Sequence, residues 1–435
     1  MPQTTIDTLL HPRWIVPVEP EHQVLEQHAL AIQNGRILAI LPREEAAARY
    51  RPKLALDLDR HVLLPGLINA HTHISMTLLR GLADDLPLMA WLQQHIWPVE
   101  ARWAGADFVR DGALLGMAEM LRGGTTCFND MYMFPDAVAA AARACGIRAC
   151  VGLIAFDFPT AYAQTMEDYL DKGLRLHESA RADPLLHTAF APHAPYTVSE
   201  PALARIARLA DELKIPIHIH LHETAAEVAR FQAERGCRPL ERLEQLGLLS
   251  SRLLAVHMTQ LEPAEIERLA QAGAHVAHCP ESNLKLASGF CPTARLDTAG
   301  VNVAIGTDGA ASNNDLDLFG ELRTAALLGK GVAGDATVLP AARVLRMATL
   351  NGARALGLDG ETGSLEPGKS ADLIAVDLEQ PETEPIYHPI SQLVYATGRH
   401  QVTDVWVAGR RLLAERQLTT LDCADLIQRA RDWRR

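Results

Sequence analysis

The chain has 435 residues, 48% hydrophobic and 22% charged, which is the make-up of a soluble globular protein and not of a disordered, collagenous or coiled-coil one. Its 53 acidic residues outnumber 41 Lys and Arg, giving a formal charge of −12. That balance speaks against sequence-independent nucleic-acid binding and against attraction to anionic membranes, both of which draw on basic surface.

Residues 1–20 lack the basic and apolar regions of a secretory signal, and no stretch offers the ~20 mainly apolar residues of a membrane-spanning helix. The seven cysteines include no Cys-x-x-Cys pair. Together these features predict a cytoplasmic protein whose cysteines are reduced and serve as small buried apolar residues. The first sixty residues read as short strands. Ala29-Leu30-Ala31-Ile32 and Ile37-Leu38-Ala39-Ile40 flank Asn34-Gly35, which predicts a type I′ hairpin. An apolar run over 61–68 then delivers the chain to His71. Further apolar runs follow at 125–128, 147–153, 186–191, 215–221, 253–257, 274–278 and 301–306. Amphipathic stretches such as 108–121, 201–213 and 263–271 lie between them. With the run before His71 there are eight strand–helix units, and nearly continuous apolar strands alternating with helices predict a closed parallel (β/α)8 barrel over 63–362. An open doubly wound sheet has no Gly-x-Gly-x-x-Gly turn to support it. A helical pattern continues through 341–356, and strands return at 372–376 and 402–408. Residues 1–62 and 363–435 are therefore predicted to form one small β-sandwich domain built from both termini.

The chemistry-bearing residues gather at the ends of these strands. His71-Thr72-His73 follows the first strand, and residues i and i+2 share a face, so both imidazoles can reach one metal in the barrel mouth. His218, His220 and His222 alternate with apolar residues at the end of the fifth strand. A rise of ~3.3 Å per residue prevents one metal from taking all three. His220 is the best-placed ligand, and His218, deeper, reads as a hydrogen-bonded packing residue. Glu223, just off the strand, sits where a carboxylate could reach a water on the metal. His257 ends the sixth strand, Asp308 follows the eighth in Gly306-Thr307-Asp308-Gly309, and His193 lies just past the fourth. The C-terminal face of such barrels carries the active site. Three imidazoles and a carboxylate there suit one divalent metal per chain, zinc or a close relative, with an open position for water. Such a metal lowers the pKa of water from 15.7 toward ~7.

At these residues the sequence resembles the amidohydrolase superfamily. Pro65-Gly66-Leu67-Ile68-Asn69-Ala70-His71-Thr72-His73 looks like its opening motif. The stretch from Gly363-Ser364-Leu365-Glu366-Pro367-Gly368 to Lys369-Ser370-Ala371-Asp372-Leu373 looks like its closing one. Within it the chain is most similar to 5-methylthioadenosine/S-adenosylhomocysteine deaminases, in the group that also holds triazine chlorohydrolases and guanine deaminase. The carrying motifs are His220-Leu221-His222-Glu223-Thr224, Ser282-Asn283-Leu284-Lys285-Leu286 and Gly306-Thr307-Asp308-Gly309-Ala310-Ala311-Ser312-Asn313-Asn314. The resemblance implies a mononuclear zinc held by His71, His73, His220 and Asp308. It implies that Glu223 and His257 act on water and substrate, and that His193, Trp91 and Glu100 contact the substrate, Glu100 through ribose hydroxyls.

The implied reaction is hydrolytic deamination of an adenosine-like purine nucleoside, with Glu223 protonating N1 and Asp308, with His257, moving the water's proton toward the leaving amine. The rivals are a triazine or guanine hydrolase of the same group and, from another class, a metal-free scaffold. Homo-oligomerisation is left open. Some family members carry arginines shortly after the third strand, where this chain has Leu153, and residues 159–171 contain no Lys or Arg. Without a cation for a homocysteine carboxylate, 5′-methylthioadenosine is expected to be preferred over S-adenosylhomocysteine, with Arg148 the one nearby cation to watch.

Overall fold

The Asn34-Gly35 turn forms as its sequence requires. In the computed structural model, which describes residues 3–434, both residues take positive φ, 52° and 74°, and strands His28–Gln33 and Arg36–Pro42 pair antiparallel around them. These strands belong to a nine-stranded mixed sheet drawn from both termini. The sheet folds back on itself, so that the turn at Gly35 meets the one at 408–409. Leu10, Leu30, Ile32, Leu63, Leu373 and Trp406 share one core, and a Cβ on Gly35 would lie 2.6 Å from the Ala408 carbonyl oxygen, so only glycine fits this contact.

Two of the N-terminal strands are not short. Thr4–Ile15 has 12 residues and Tyr50–Pro65 has 16, and they run parallel to each other. A parallel pair needs a crossover, and this one carries a helix the apolar pattern did not announce, Arg43–Arg49. A second such helix, Cys423–Trp433, closes the chain and docks on Ala106–Arg122, where Trp433 Nε1 donates to Asp111 at 3.1 Å.

The barrel strands are Leu67–Thr72, Thr125–Asp130, Arg148–Ala155, Leu186–Pro192, Ile217–Leu221, Leu253–His257, His275–His278 and Asn302–Ile305. All pair in parallel, in chain order. One small core joins Ile68, Cys127, Cys150, Ala189, Leu254, Ala277 and Ala304, one residue from each of seven strands, which identifies it as the barrel interior. The first and eighth strands are clasped by Asn69: its Oδ1 accepts from Thr307 N at 3.0 Å and its Nδ2 donates to Thr307 Oγ1 at 2.8 Å. Directly above, Asp308 N donates to His71 O at 3.0 Å. The helix expected over 341–356 is two helices, Ala341–Met347 and Leu350–Ala355. Between them the Ala348 carbonyl accepts from Ile68 N at 2.8 Å, and Thr349 leaves helical geometry.

Arg148 joins the two sheets at the opposite end. It is 1% exposed, donates to Asp372 Oδ2 at 2.7 Å and to Ser370 Oγ at 3.0 Å, and faces away from the barrel mouth. All seven cysteines are free, six of them buried. Among the described residues no helix is long and apolar enough to cross a membrane.

Candidate active site

His71 sits near the end of the first barrel strand and His73 one residue beyond it, and the structure brings both against His220 and Asp308. One ligating atom from each of the four residues lies within 4.8 Å of all the others. Each ring is pinned through its far nitrogen. His73 Nδ1 lies 2.5 Å from the Met131 carbonyl and His220 Nδ1 lies 2.8 Å from the His193 carbonyl. A carbonyl only accepts, so both rings carry their proton on Nδ1 and offer a bare Nε2. Those two Nε2 atoms are 3.2 Å apart, and His71 Nε2 and His73 Nε2 are each 3.2 Å from Asp308 Oδ1. Lone pairs so concentrated in a buried site demand a cation, and the donor set, three imidazoles and a carboxylate, fits zinc.

His218 does what a packing residue one step deeper can do. Its Nε2 lies 2.7 Å from His71 Nδ1, so it orients a ligand without being one. His222 is not on the barrel axis at all. Its φ of 53° turns it off the strand, and its ring accepts from Leu240 N at 3.1 Å. Asp308, also at positive φ (63°), is fixed by three further donors: Gly309 N at 2.8 Å to Oδ1, and Ser282 Oγ at 2.6 Å and Ser312 Oγ at 2.8 Å to Oδ2. Burial alone would raise this carboxyl, but the contacts to His71 and His73 hold it well below the usual range.

Glu223 and His257 stand beside the cluster. Glu223 Oε2 is 3.9 Å from His257 Nε2 and Oε1 is 3.5 Å from Ser288 Oγ. Burial pushes the Glu223 carboxyl above its ordinary range, with Asp308 adding to the effect. His257 Nδ1 lies 2.9 Å from Asn283 Oδ1, and its ring stacks on His220 at 16°. His257, at φ 73°, is another strained non-glycine residue, and such strain collects at functional sites.

Above this floor opens a cavity of about 760 Å³. His193, Trp91 and Glu100 all line it, as do His257 and Glu223. His193 Nδ1 is 3.0 Å from Thr197 Oγ1, and burial pulls its pKa down to about 3. Trp91 is buried, and its indole N–H has no hydrogen-bond partner among the described residues. Glu100, on helix Trp97–Trp103, accepts a 2.6 Å hydrogen bond from the Tyr132 hydroxyl. Sequence reading missed Tyr132, Ser282, Ser312 and the role of Asn283. The last three lie inside motifs that carried the resemblance, and Tyr132 closely follows the second strand.

Most of the rest of the wall is apolar, with Leu88, Trp97, Met133, Phe156, Phe158 and Pro159; Thr160, Gln164, Tyr196 and Thr197 are polar, and none of the lining residues is Lys or Arg. Leu153 is not part of it. That side chain packs outward on helix Met166–Ala180, where a Cβ added to Gly173 would meet it at 3.2 Å, and Ile154 and Phe156 are the residues that face in.

An eight-stranded parallel barrel with this histidine–aspartate cluster at its mouth is the architecture of a metal-dependent hydrolase, and the amidohydrolase family model matches residues 62–412: the chain belongs to that family. It is 52% identical, over 99% of this chain and 98% of the other, to a 5-methylthioadenosine/S-adenosylhomocysteine deaminase of Teredinibacter turnerae. A crystal structure of an adenosine deaminase from Xanthomonas campestris with bound zinc superposes with a TM-score of 0.99 at 57% identity, covering 100% of this chain and 99% of that one. Atrazine chlorohydrolase from Arthrobacter aurescens, at 23% identity and TM-score 0.90 over 98% of this chain and 99% of that one, shares the fold.

Proposed function

We propose that this chain is a zinc-dependent hydrolytic deaminase of adenosine-type nucleosides, acting on 5′-methylthioadenosine to give the inosine analogue and ammonia. The observation that carries the reading is a nucleoside-sized cavity whose floor is the four-residue donor set, flanked by a buried carboxyl, Glu223, that is not part of it.

His71, His73, His220 and Asp308 hold the metal. When bound, it acidifies a water molecule and so makes a nucleophile available at neutral pH. The protein's own groups move the protons. Glu223, buried so that it retains a proton readily, delivers that proton to N1 of the adenine as the C6–oxygen bond forms. Asp308, oriented by Ser282 and Ser312, and His257, oriented by Asn283, take the water's proton and pass it to the exocyclic nitrogen. The C6–nitrogen bond then breaks, ammonia leaves, and the C6 hydroxyl gives its proton to Glu223, so that the carbonyl remains and the carboxyl is restored. A zinc site plus a non-ligand glutamate serves the same chemistry in unrelated deaminases. His193 borders the base, Trp91 supplies apolar wall, and Glu100 accepts from ribose hydroxyls.

The wall favours a methylthio group. A homocysteine tail brings a carboxylate, and no lining residue is Lys or Arg, while Arg148 is committed to Asp372 on the far side of the barrel. A missing charge-assisted hydrogen bond corresponds to roughly 10- to 150-fold in kcat/KM. Ammonia release measured across purine nucleosides, guanine, pterins and triazines tests the reading. Turnover confined to adenosine-type nucleosides is expected. Turnover confined to guanine or triazines would move the chain to the other branches of its group.

A further inference from the structure

Tyr132 lies two residues past the second barrel strand and is 6% exposed, and its hydroxyl makes the 2.6 Å bond to Glu100 Oε1. The two residues come from different parts of the site. Tyr132 follows the second barrel strand, and Glu100 lies on helix Trp97–Trp103, which forms part of the cavity wall. Burial and the neighbouring Glu100 charge push the phenol well above its usual range, so Tyr132 is the donor and Glu100 the acceptor. Desolvation in turn pushes the Glu100 carboxyl up, and the Tyr132 bond is the main influence that opposes it.

A carboxylate has about four acceptor positions on its two oxygens. One is filled by Tyr132. The second oxygen carries no hydrogen bond among the described residues and belongs to a side chain that lines the cavity. Two adjacent hydroxyl donors on a five-membered sugar match the acceptor positions that remain, and a protonated, neutral carboxyl in its place would accept them poorly.

We infer that Tyr132 is a positioning residue for sugar selectivity: by donating to one oxygen of Glu100 it holds the carboxylate with its second oxygen turned to the cis-diol, so that the enzyme prefers ribonucleosides over nucleosides lacking both hydroxyls. This rests on the nucleoside deaminase reading above, with Glu100 at the ribose. Tyr132 takes no part in the proton transfers at C6, so its removal should weaken binding of the diol and leave the chemical step alone.

The test compares adenosine with 2′,3′-dideoxyadenosine on the metal-loaded wild type and on Tyr132→Phe. The readout is kcat/KM where the compound turns over and the inhibition constant where it only competes. Tyr132→Phe should lower kcat/KM for adenosine about 10- to 100-fold, the size expected for a hydrogen bond to a charged group. Most of that loss should fall in KM, with the dideoxy compound changed less than about twofold by the same substitution. Glu100→Gln should collapse the ribose preference equally, and adding Tyr132→Phe to it should cost nothing more. Equal losses for the two nucleosides, or a loss confined to kcat, would make Tyr132 a structural residue and overturn the inference. An unchanged ribose preference would overturn it too. Absence of any adenosine turnover by the wild type is a different result, and it would reject the deaminase reading itself.

Discussion

On the floor of the cavity Asp308 receives hydrogen bonds from Gly309, Ser282 and Ser312, and each ligand imidazole is held through its second nitrogen. On the wall, Phe156 is held by ring contacts with Phe158 at 4.8 Å and His193 at 5.0 Å, and the Trp91 N–H has no partner among the described residues. The floor is over-determined because a metal and a proton relay tolerate little displacement. The wall is mostly apolar and held largely by packing, because it selects a ligand by shape and by what it lacks, with hydrogen bonds at Glu100 and His193. Chemistry and selectivity are therefore written in different interactions, and substitutions should separate them.

The largest effects belong to the floor. His71→Ala and His220→Ala should lose the metal and with it all turnover, as read by elemental analysis and ammonia release on one preparation. His218→Ala removes only the orienting partner of His71, and a loss of roughly 10- to 100-fold in metal affinity is expected. Metal retained in His220→Ala but lost from His218→Ala would exchange their roles. Next comes Glu223→Gln. It removes a proton donor and no ligand, so metal content and melting temperature should stay while kcat falls by ~10²–10⁴ or more. Near-normal turnover would leave Glu223 as no more than an acid at the start of the following helix.

The wall should give smaller numbers. Steady-state comparison of the two thioether nucleosides is expected to favour 5′-methylthioadenosine by roughly 10- to 150-fold in kcat/KM. Parity would mean that a cation outside the cavity reaches the homocysteine tail. Smallest for catalysis is Arg148→Ala, on the far side of the barrel. Leaving Asp372 buried without its partner should cost about 3–5 kcal/mol in denaturant unfolding, while the metal content of folded protein stays unchanged.

The same contrast sets what the sequence reveals. His71, His73, His220 and Asp308 are legible because a strand alternates its faces and a barrel gathers strand ends into one mouth. Their supports are not. Ser282 and Asp308 are far apart in the chain, and nothing local says that the Ser282 hydroxyl points at the Asp308 carboxylate. His222 breaks the alternation because its backbone turns to positive φ, which an Ile-His-Ile-His-Leu-His pattern does not announce. The wall is harder still. Buried parallel strands are apolar on both faces, so the run through Leu153-Ile154-Ala155 leaves open which residue faces inward, and that residue is Ile154. At the termini the hairpin at Asn34-Gly35 is readable from two residues. The Arg43–Arg49 helix is hidden, because its Ala- and Glu-rich sequence buries only Ala46 and shows no apolar stripe.

The central claim, that the floor with its metal deaminates a purine nucleoside, is tested most directly by counting ammonia and inosine analogue formed from 5′-methylthioadenosine. The count is made on the purified protein, after chelation, and after zinc is returned. The account predicts one ammonia for each inosine analogue, loss of both on chelation and recovery of both with about one zinc per chain. Undiminished turnover by metal-stripped protein would contradict it, as would zinc bound stoichiometrically with no ammonia from any purine nucleoside.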